Sequence, residues 1–106
     1  MSDKTPSSFR HDLLAGQVAF VTGGATGIGK EICRVLGRHG ARIAMLSRKE
    51  ARLKAAVEEL QGEGIEAHHE VGDVREPDAV AAAVRGILAR FGRIDILVNN
   101  AGGSRN

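Results

Sequence analysis

The residues Thr22-Gly23-Gly24-Ala25-Thr26-Gly27-Ile28-Gly29-Lys30 lie between an apolar run, Val18-Ala19-Phe20-Val21, and a stretch with helical spacing. Gly23, Gly27 and Gly29 form Gly-x-x-x-Gly-x-Gly, one residue away from the older Gly-x-Gly-x-x-Gly form of dinucleotide loops. Each glycine has a task that a side chain would obstruct. Gly23 can make the tight turn out of a strand, Gly27 lets the backbone approach a pyrophosphate, and Gly29 lets a helix pack closely on a sheet. The N–H groups of that helix start, with its positive dipole end, then face phosphate oxygens. Thr22, Gly23, Thr26, Gly27, Ile28 and Gly29 are the candidate cofactor contacts of this loop. No Gly-Lys-Ser or Gly-Lys-Thr follows, which excludes an NTPase phosphate loop. The competing reading is a glycine turn serving only the strand-to-helix connection.

A second group, Ser47-Arg48-Lys49, closes the next apolar run. A free ribose 2′-OH is usually met near this point by Asp or Glu, which accepts its hydrogen bond. Here no acid occurs until Glu50, and an arginine fork stands in its place. A guanidinium suits a 2′-phosphate through paired, charge-assisted bonds, so the pattern favours NADP(H) over NAD(H). The alternative is a solvated basic turn opening a helix.

Other reactive side chains point to less. His68-His69-Glu70 has no Cys or His partner at metal-ligand spacing, and neighbours in a strand point to opposite faces. No metal site is expected. Cys33 reads as a small core or boundary residue, and Glu58 and Glu59 as a solvated helix face.

These side chains need a frame, and the periodicity supplies one. Ile28, Ile32, Val35 and Leu36 stripe a first helix, closed by Gly40. Ala41 to Leu46 reads as a second strand, and Leu53, Ala56, Val57 and Leu60 stripe a second helix that ends at Gly62 and Gly64. Ile65 to Val71 is a weaker third strand. Pro77 suits a helix start, Val80, Val84, Ile87, Leu88 and Phe91 stripe that helix, and Gly92 stops it. Ile94 to Val98 is a fourth strand. The order β-α-β-α-β-α-β with apolar strands predicts an α/β fold, a parallel sheet with right-handed crossovers. Strand order 3-2-1-4 follows, the Rossmann-type half of a doubly wound sheet, with a switch point between strands one and four.

Composition sets the outer bounds. With 106 residues, 42% hydrophobic and 26% charged, the chain has the balance of one soluble domain rather than a disordered segment. Three Phe are its whole aromatic complement, so the core must be aliphatic. Net charge is +2 with basic and acidic residues interspersed, and the densest basic stretch is too short for a nucleic-acid stripe. A lone cysteine suits a reducing cytoplasm. The opening residues carry no signal-peptide core, and no apolar run is long enough to span a bilayer. Residues 1–13 are expected to be a flexible segment and 14–106 an NADP(H)-binding half-domain.

Thr22-Gly-Gly-Ala-Thr-Gly-Ile-Gly29, followed far downstream by Asn99-Asn100-Ala101-Gly102, resembles the classical short-chain dehydrogenase/reductase family. The likeness runs from about Leu14 to Gly102. It implies that Asp73 and Val74 contact adenine, that Asn99 and Ala101 border the adenosine ribose, and that the turn through Gly102 steadies the central sheet. Arg48, helped by Ser47 and Lys49, would hold the 2′-phosphate. Ser47-Arg48-Lys49, Leu53-Lys54-Ala55, Gly72-Asp73-Val74-Arg75 and Pro77-Asp78 are similar to the 2,4-dienoyl-CoA reductase branch and its trans-2-enoyl-CoA reductase relatives. That branch reduces a conjugated C=C bond of a fatty acyl-CoA with NADPH. It continues the glycine turn with Asn and Phe, where this chain reads Gly103-Ser104-Arg105-Asn106.

Family members transfer hydride with the help of a later Tyr-x-x-x-Lys pair. This chain contains no tyrosine, and its last lysine is Lys54. The expectation is therefore a cofactor-binding portion that stops before a fifth strand, carries no catalytic residue and is inactive alone. Its expected partners are the dinucleotide and either the missing C-terminal half or another copy along strand four, since the family is usually homo-oligomeric. The alternative is a non-enzymatic nucleotide-binding or interaction module. Neither nucleic acid nor membrane is implied.

Overall fold

A computed structural model of the chain describes residues 13–100. Four strands carry the apolar runs: β1 (Val18–Thr22), β2 (Arg42–Ser47), β3 (Ala67–Val71) and β4 (Ile96–Asn99). Between them lie α1 (Gly27–Arg38), α2 (Glu50–Gly62) and α3 (Pro77–Phe91). The strands pair in parallel in the order β3-β2-β1-β4, as the periodicity predicts, with Val21 set between Met45 and Val98. The expected starts of β2, β3 and β4 lie one or two residues early. The segment expected to be flexible, 1–13, falls almost wholly outside the described residues.

Strand alternation builds two cores. Ala19, Val21, Ile43 and Met45 face Cys33, Leu53, Ala56 and Leu60, so α1 and α2 share one face of the sheet. Val18, Phe20, Ala44 and Leu46 face Ala83, Ile87 and Phe91 of α3 on the other. Only β1 and β2 are covered on both faces, whereas β4, apolar through Ile96-Leu97-Val98, is half-exposed. The Arg42 guanidinium lies 5.0 Å from the centre of the Phe91 ring and closes one end of the second core.

The stripe expected on α2 is the one buried, and that on α3 is buried at Ile87 and Phe91 and half-buried at Val80 and Val84. Leu88 is the exception, exposed on the outer side. On α1 the expectation holds in part, with Ile32 and Leu36 half-buried and Leu36 against the first core, and fails at the other two positions. Ile28 and Val35 are 74% and 52% exposed, whereas Gly29, Cys33 and Arg34 are buried. Volume, not hydropathy, decides which side faces the sheet. A methyl group on Gly29 would sit 2.1 Å from the Gly23 carbonyl oxygen, and one on Gly37 2.5 Å from Ile65. Gly29, Cys33 and Gly37 fall at i, i+4 and i+8, a seam of small residues that lets α1 lie close to the sheet. The larger apolar side chains flank it.

Arg34 is tied between the two helices of this face. Its Nε meets the Glu63 carboxylate at 2.9 Å, and its remaining nitrogens bond Glu31 and Glu59. Glu59, expected to be merely solvated, thus joins α1 to α2 and also pairs with Lys30 at 2.9 Å. Such partly exposed pairs fix orientation more than they drive folding.

β4 is an edge. Its approach is held by Asp95, whose carboxylate accepts the Val18 N–H at 2.8 Å and whose own N–H donates to the Val18 carbonyl. Leu97, level with Phe20 in the register, remains 66% exposed. Ile43→Ala, in the fully buried centre, is expected to cost about 2–5 kcal/mol, and Ile28→Ser less than about 0.5 kcal/mol. Urea unfolding of the full chain measures both, and a comparable loss at Ile28 would overturn the small-residue seam.

Candidate functional site

All four strands run in parallel, so their C-terminal ends share one rim of the sheet, and the candidates among the described residues gather there. β1 gives way at Thr22 to a loop in which Gly23 (φ +70°) and Gly27 (φ +59°) take conformations that side chains resist. The Gly23 N–H still donates to the Leu46 carbonyl at 2.9 Å, which carries the β1–β2 ladder into the loop. Thr26 caps α1 in an extended conformation, with no hydrogen bond from its side chain to the helix. α2 and α3 carry Glu50 and Asp78 in their first turns, while α1 has no acid there. Its positive end therefore meets no carboxylate of its own first turn and is available to an anion.

The turn after β4 is bolted to the same loop. The Asn100 backbone N–H donates to Thr22 Oγ1 at 3.0 Å, and its side-chain amide donates to the Gly23 carbonyl at 3.2 Å. Thr22 Oγ1 also lies 3.2 Å from Asn99 Oδ1. Asn100 belongs to the turn expected to steady the central sheet, and these are the bonds by which it does so. The doubled Asn was its signal, but only Asn99 was assigned a contact. Ala101 and Gly102 lie outside the described residues.

At the ends of β2 and β3 a polar corner forms. The Gly72 N–H donates to the Ser47 carbonyl at 2.9 Å, which brings Asp73 alongside Arg48. Ser47 Oγ accepts the Lys49 N–H at 3.2 Å, and the exposed Arg48 fork reaches to 3.9 Å from Asp73 Oδ2. Arg75, a residue given no role of its own above, grips Asp73 three times. Its backbone N–H and Nε bond Oδ1 at 2.9 and 3.1 Å, and Nη2 bonds Oδ2 at 2.9 Å. These bonds from Arg75, with a smaller pull from Arg48, hold the Asp73 carboxyl down to about 2. Val74 packs against the core beneath α3.

The remaining reactive groups stay away from this rim or inert. Cys33 is fully buried, and burial pushes its thiol up to about 12, far from a nucleophile's range. His68 and Glu70, two apart on β3, share a face and meet at 2.6 Å, with the His68 ring edge-on to Phe91. Among the described residues no group of three His, Cys, Asp or Glu side chains could hold a metal ion.

The family model of the short chain dehydrogenases matches residues 17–106. A peroxisomal 2,4-dienoyl-CoA reductase [(3E)-enoyl-CoA-producing] of Arabidopsis thaliana is 44% identical over 98 residues, which cover 92% of this chain and 33% of that protein. An actinorhodin polyketide ketoreductase solved with NADPH superposes with a TM-score of 0.77 at 42% identity, covering 79% of this chain and 32% of the other. A metagenomic short-chain oxidoreductase in complex with NADP gives 0.78 at 47% identity, covering 84% and 40%. The chain spans about a third of the length of the curated relatives it matches.

The tightest contact of the site is the most exposed to test. Gly29→Ala forces a methyl group against a backbone carbonyl that cannot swing aside, and is expected to cost about 1–3 kcal/mol. Gly62→Ala, with nothing within 4 Å, is expected to stay within about 0.5 kcal/mol of the parent. Chemical denaturation of the two variants decides it, and equal stabilities would refute the close approach.

Proposed function

This chain belongs to the short-chain dehydrogenase family, and we propose that it is the NADP(H)-binding portion of one of the family's oxidoreductases. The corner at the ends of β2 and β3 carries this reading. Arg48 presents an exposed guanidinium there, the nearest carboxylate is already held by Arg75, and the next acid in the chain, Glu50, belongs to α2 and pairs with Lys54 at 3.9 Å. A ribose 2′-phosphate would find a fork of donors where a 2′-hydroxyl would find its nearest carboxylate, Asp73, already bonded by Arg75. The two NADP(H)-bound structures noted above support the same cofactor.

The residues present fit the rest of that dinucleotide. The start of α1 offers backbone N–H groups and a positive dipole end to the pyrophosphate, and Gly29 keeps it close to β1. Asp73 and Val74 follow β3 at the position proposed for adenine, and Asn99 stands where β4 ends beside β1, at the position proposed for the ribose. Once bound, the dinucleotide supplies or accepts a hydride. This chain's own part is to bind and orient it, because it holds no tyrosine and its lone thiol is buried in the protonated form. We infer that the acid/base group of the reaction is supplied by polypeptide other than these residues. Reduction of an enoyl- or dienoyl-CoA double bond is the proposed reaction, supported by the name of the Arabidopsis relative. The ketoreductase neighbour supports carbonyl reduction as a second reading. A reducing compartment such as the cytoplasm suits the free thiol.

Two measurements test the binding role and the edge. NADPH is expected to bind the full chain more tightly than NADH, and Arg48→Ala to weaken NADPH about 10- to 100-fold while leaving NADH nearly unchanged, as read by calorimetric titration. Equal losses for the two cofactors would overturn the 2′-phosphate assignment. The exposed edge at Leu97 is proposed to pair with a second copy or with further polypeptide. The 106-residue chain should then sediment with a concentration-dependent mass that Leu97→Lys reduces, and a monomer at every concentration would count against it.

A further inference from the structure

We propose that Arg75 is a positioning residue that sets the preference for the 2′-phosphate by occupying Asp73, so that Arg48 stays available. The inference rests on the assignment of Arg48 to that phosphate. Asp73 is the one carboxylate at ion-pair distance from the Arg48 fork among the described residues. Left alone, it would act against a 2′-phosphate in two ways. It would hold the Arg48 guanidinium in a direct paired bond, and it would place a negative charge beside the incoming phosphate.

The geometry shows both effects relieved by Arg75. Each carboxylate oxygen of Asp73 takes at least one Arg75 hydrogen bond between 2.9 and 3.1 Å, and the backbone N–H of Arg75 adds another. Arg48 stands off at 3.9 Å, near enough to be attracted but too far for a hydrogen bond. Its donors are thereby left for another acceptor. The arrangement has a built-in anchor, since the Gly72 N–H fixes the end of β3 to Ser47, the residue before Arg48. Arg75 itself is 73% exposed, so its loss removes charge and hydrogen bonds without opening the core.

The experiment is a titration of NADPH and NADH against Arg48→Ala, Arg75→Gln, Arg75→Lys and the double variant Arg48→Ala/Arg75→Gln. NADH shares the adenine that Asp73 is proposed to contact, so it reports any general disturbance of the corner. Arg75→Gln is expected to weaken NADPH about three- to fivefold and NADH less than about 1.5-fold, with Arg75→Lys recovering most of the loss. In the double variant the added loss from Arg75→Gln should nearly vanish, because its effect runs through Arg48. Losses that multiply instead would show an independent phosphate contact by Arg75 and overturn the positioning role. A parallel loss of both cofactors, or no loss, would overturn it as well, provided Arg48→Ala remains selective. If Arg48→Ala is itself unselective, the 2′-phosphate assignment falls and this inference falls with it.

Discussion

The close approach of α1 to the end of β1 governs the rest of the molecule. At Gly29 there is no room for a methyl group, because the Gly23 carbonyl oxygen occupies the space. That contact turns the small-residue side of α1 toward the sheet and aims its first turn along the rim where β1 ends. It also leaves the Gly23 carbonyl to accept the Asn100 amide, so that β4 is registered on the same atom that limits the helix. The placing of the α1 start and the attachment of the fourth strand are thus one constraint met twice. The side chains at both ends of it can be small or polar because backbone groups make the contacts.

The parts legible in the sequence are those where burial follows hydropathy. β1, β2 and α2 lie where apolar side chains meet apolar side chains on a flat sheet face, and their patterns show it. α1 was misread in part because the contact there is set by volume. Gly29, Cys33 and Gly37 carry little hydrophobic signal, yet they are what fits, and Ile28 and Val35 stand outside with a pattern that looks like a core. Arg48 was visible because an expected acid is missing at a known offset. Arg75 and the particular bonds of Asn100 were not, because they exist only as hydrogen bonds across loops whose conformation the residue types alone do not specify.

Charge is used in two opposite ways on this small sheet. On the outer side of α1 and α2, Arg34 is consumed by Glu31, Glu59 and Glu63, and its neighbour Lys30 by Glu59. Those cations hold helices. At the rim, Arg75 takes the close hydrogen bonds of Asp73, so Arg48 keeps a looser 3.9 Å ion pair with that carboxylate and an exposed guanidinium. The difference is not in composition, since both corners hold arginines beside acids. It lies in whether the number of carboxylate oxygens within reach matches the number of donor forks.

Coverage of β4 differs from that of its neighbour in the sheet, β1. Residues level in the register share a face, so Leu97 lies with Phe20 on the α3 side and Val98 with Val21 on the α1 side. α3 packs chiefly over β3 and β2, and α1 over β1 and β2. Neither reaches far enough to close over β4, whose alternate residues stay exposed while β1 beside it is fully buried. The uncovered apolar surface therefore borders the switch point between β1 and β4, the place where a parallel α/β sheet opens its crevice. Polypeptide that buried Leu97 would bring its own side chains to the mouth of that crevice, beside a cofactor held by the loop after β1. Packing on that surface would therefore extend the sheet at the same edge on which the loop after β1 opens.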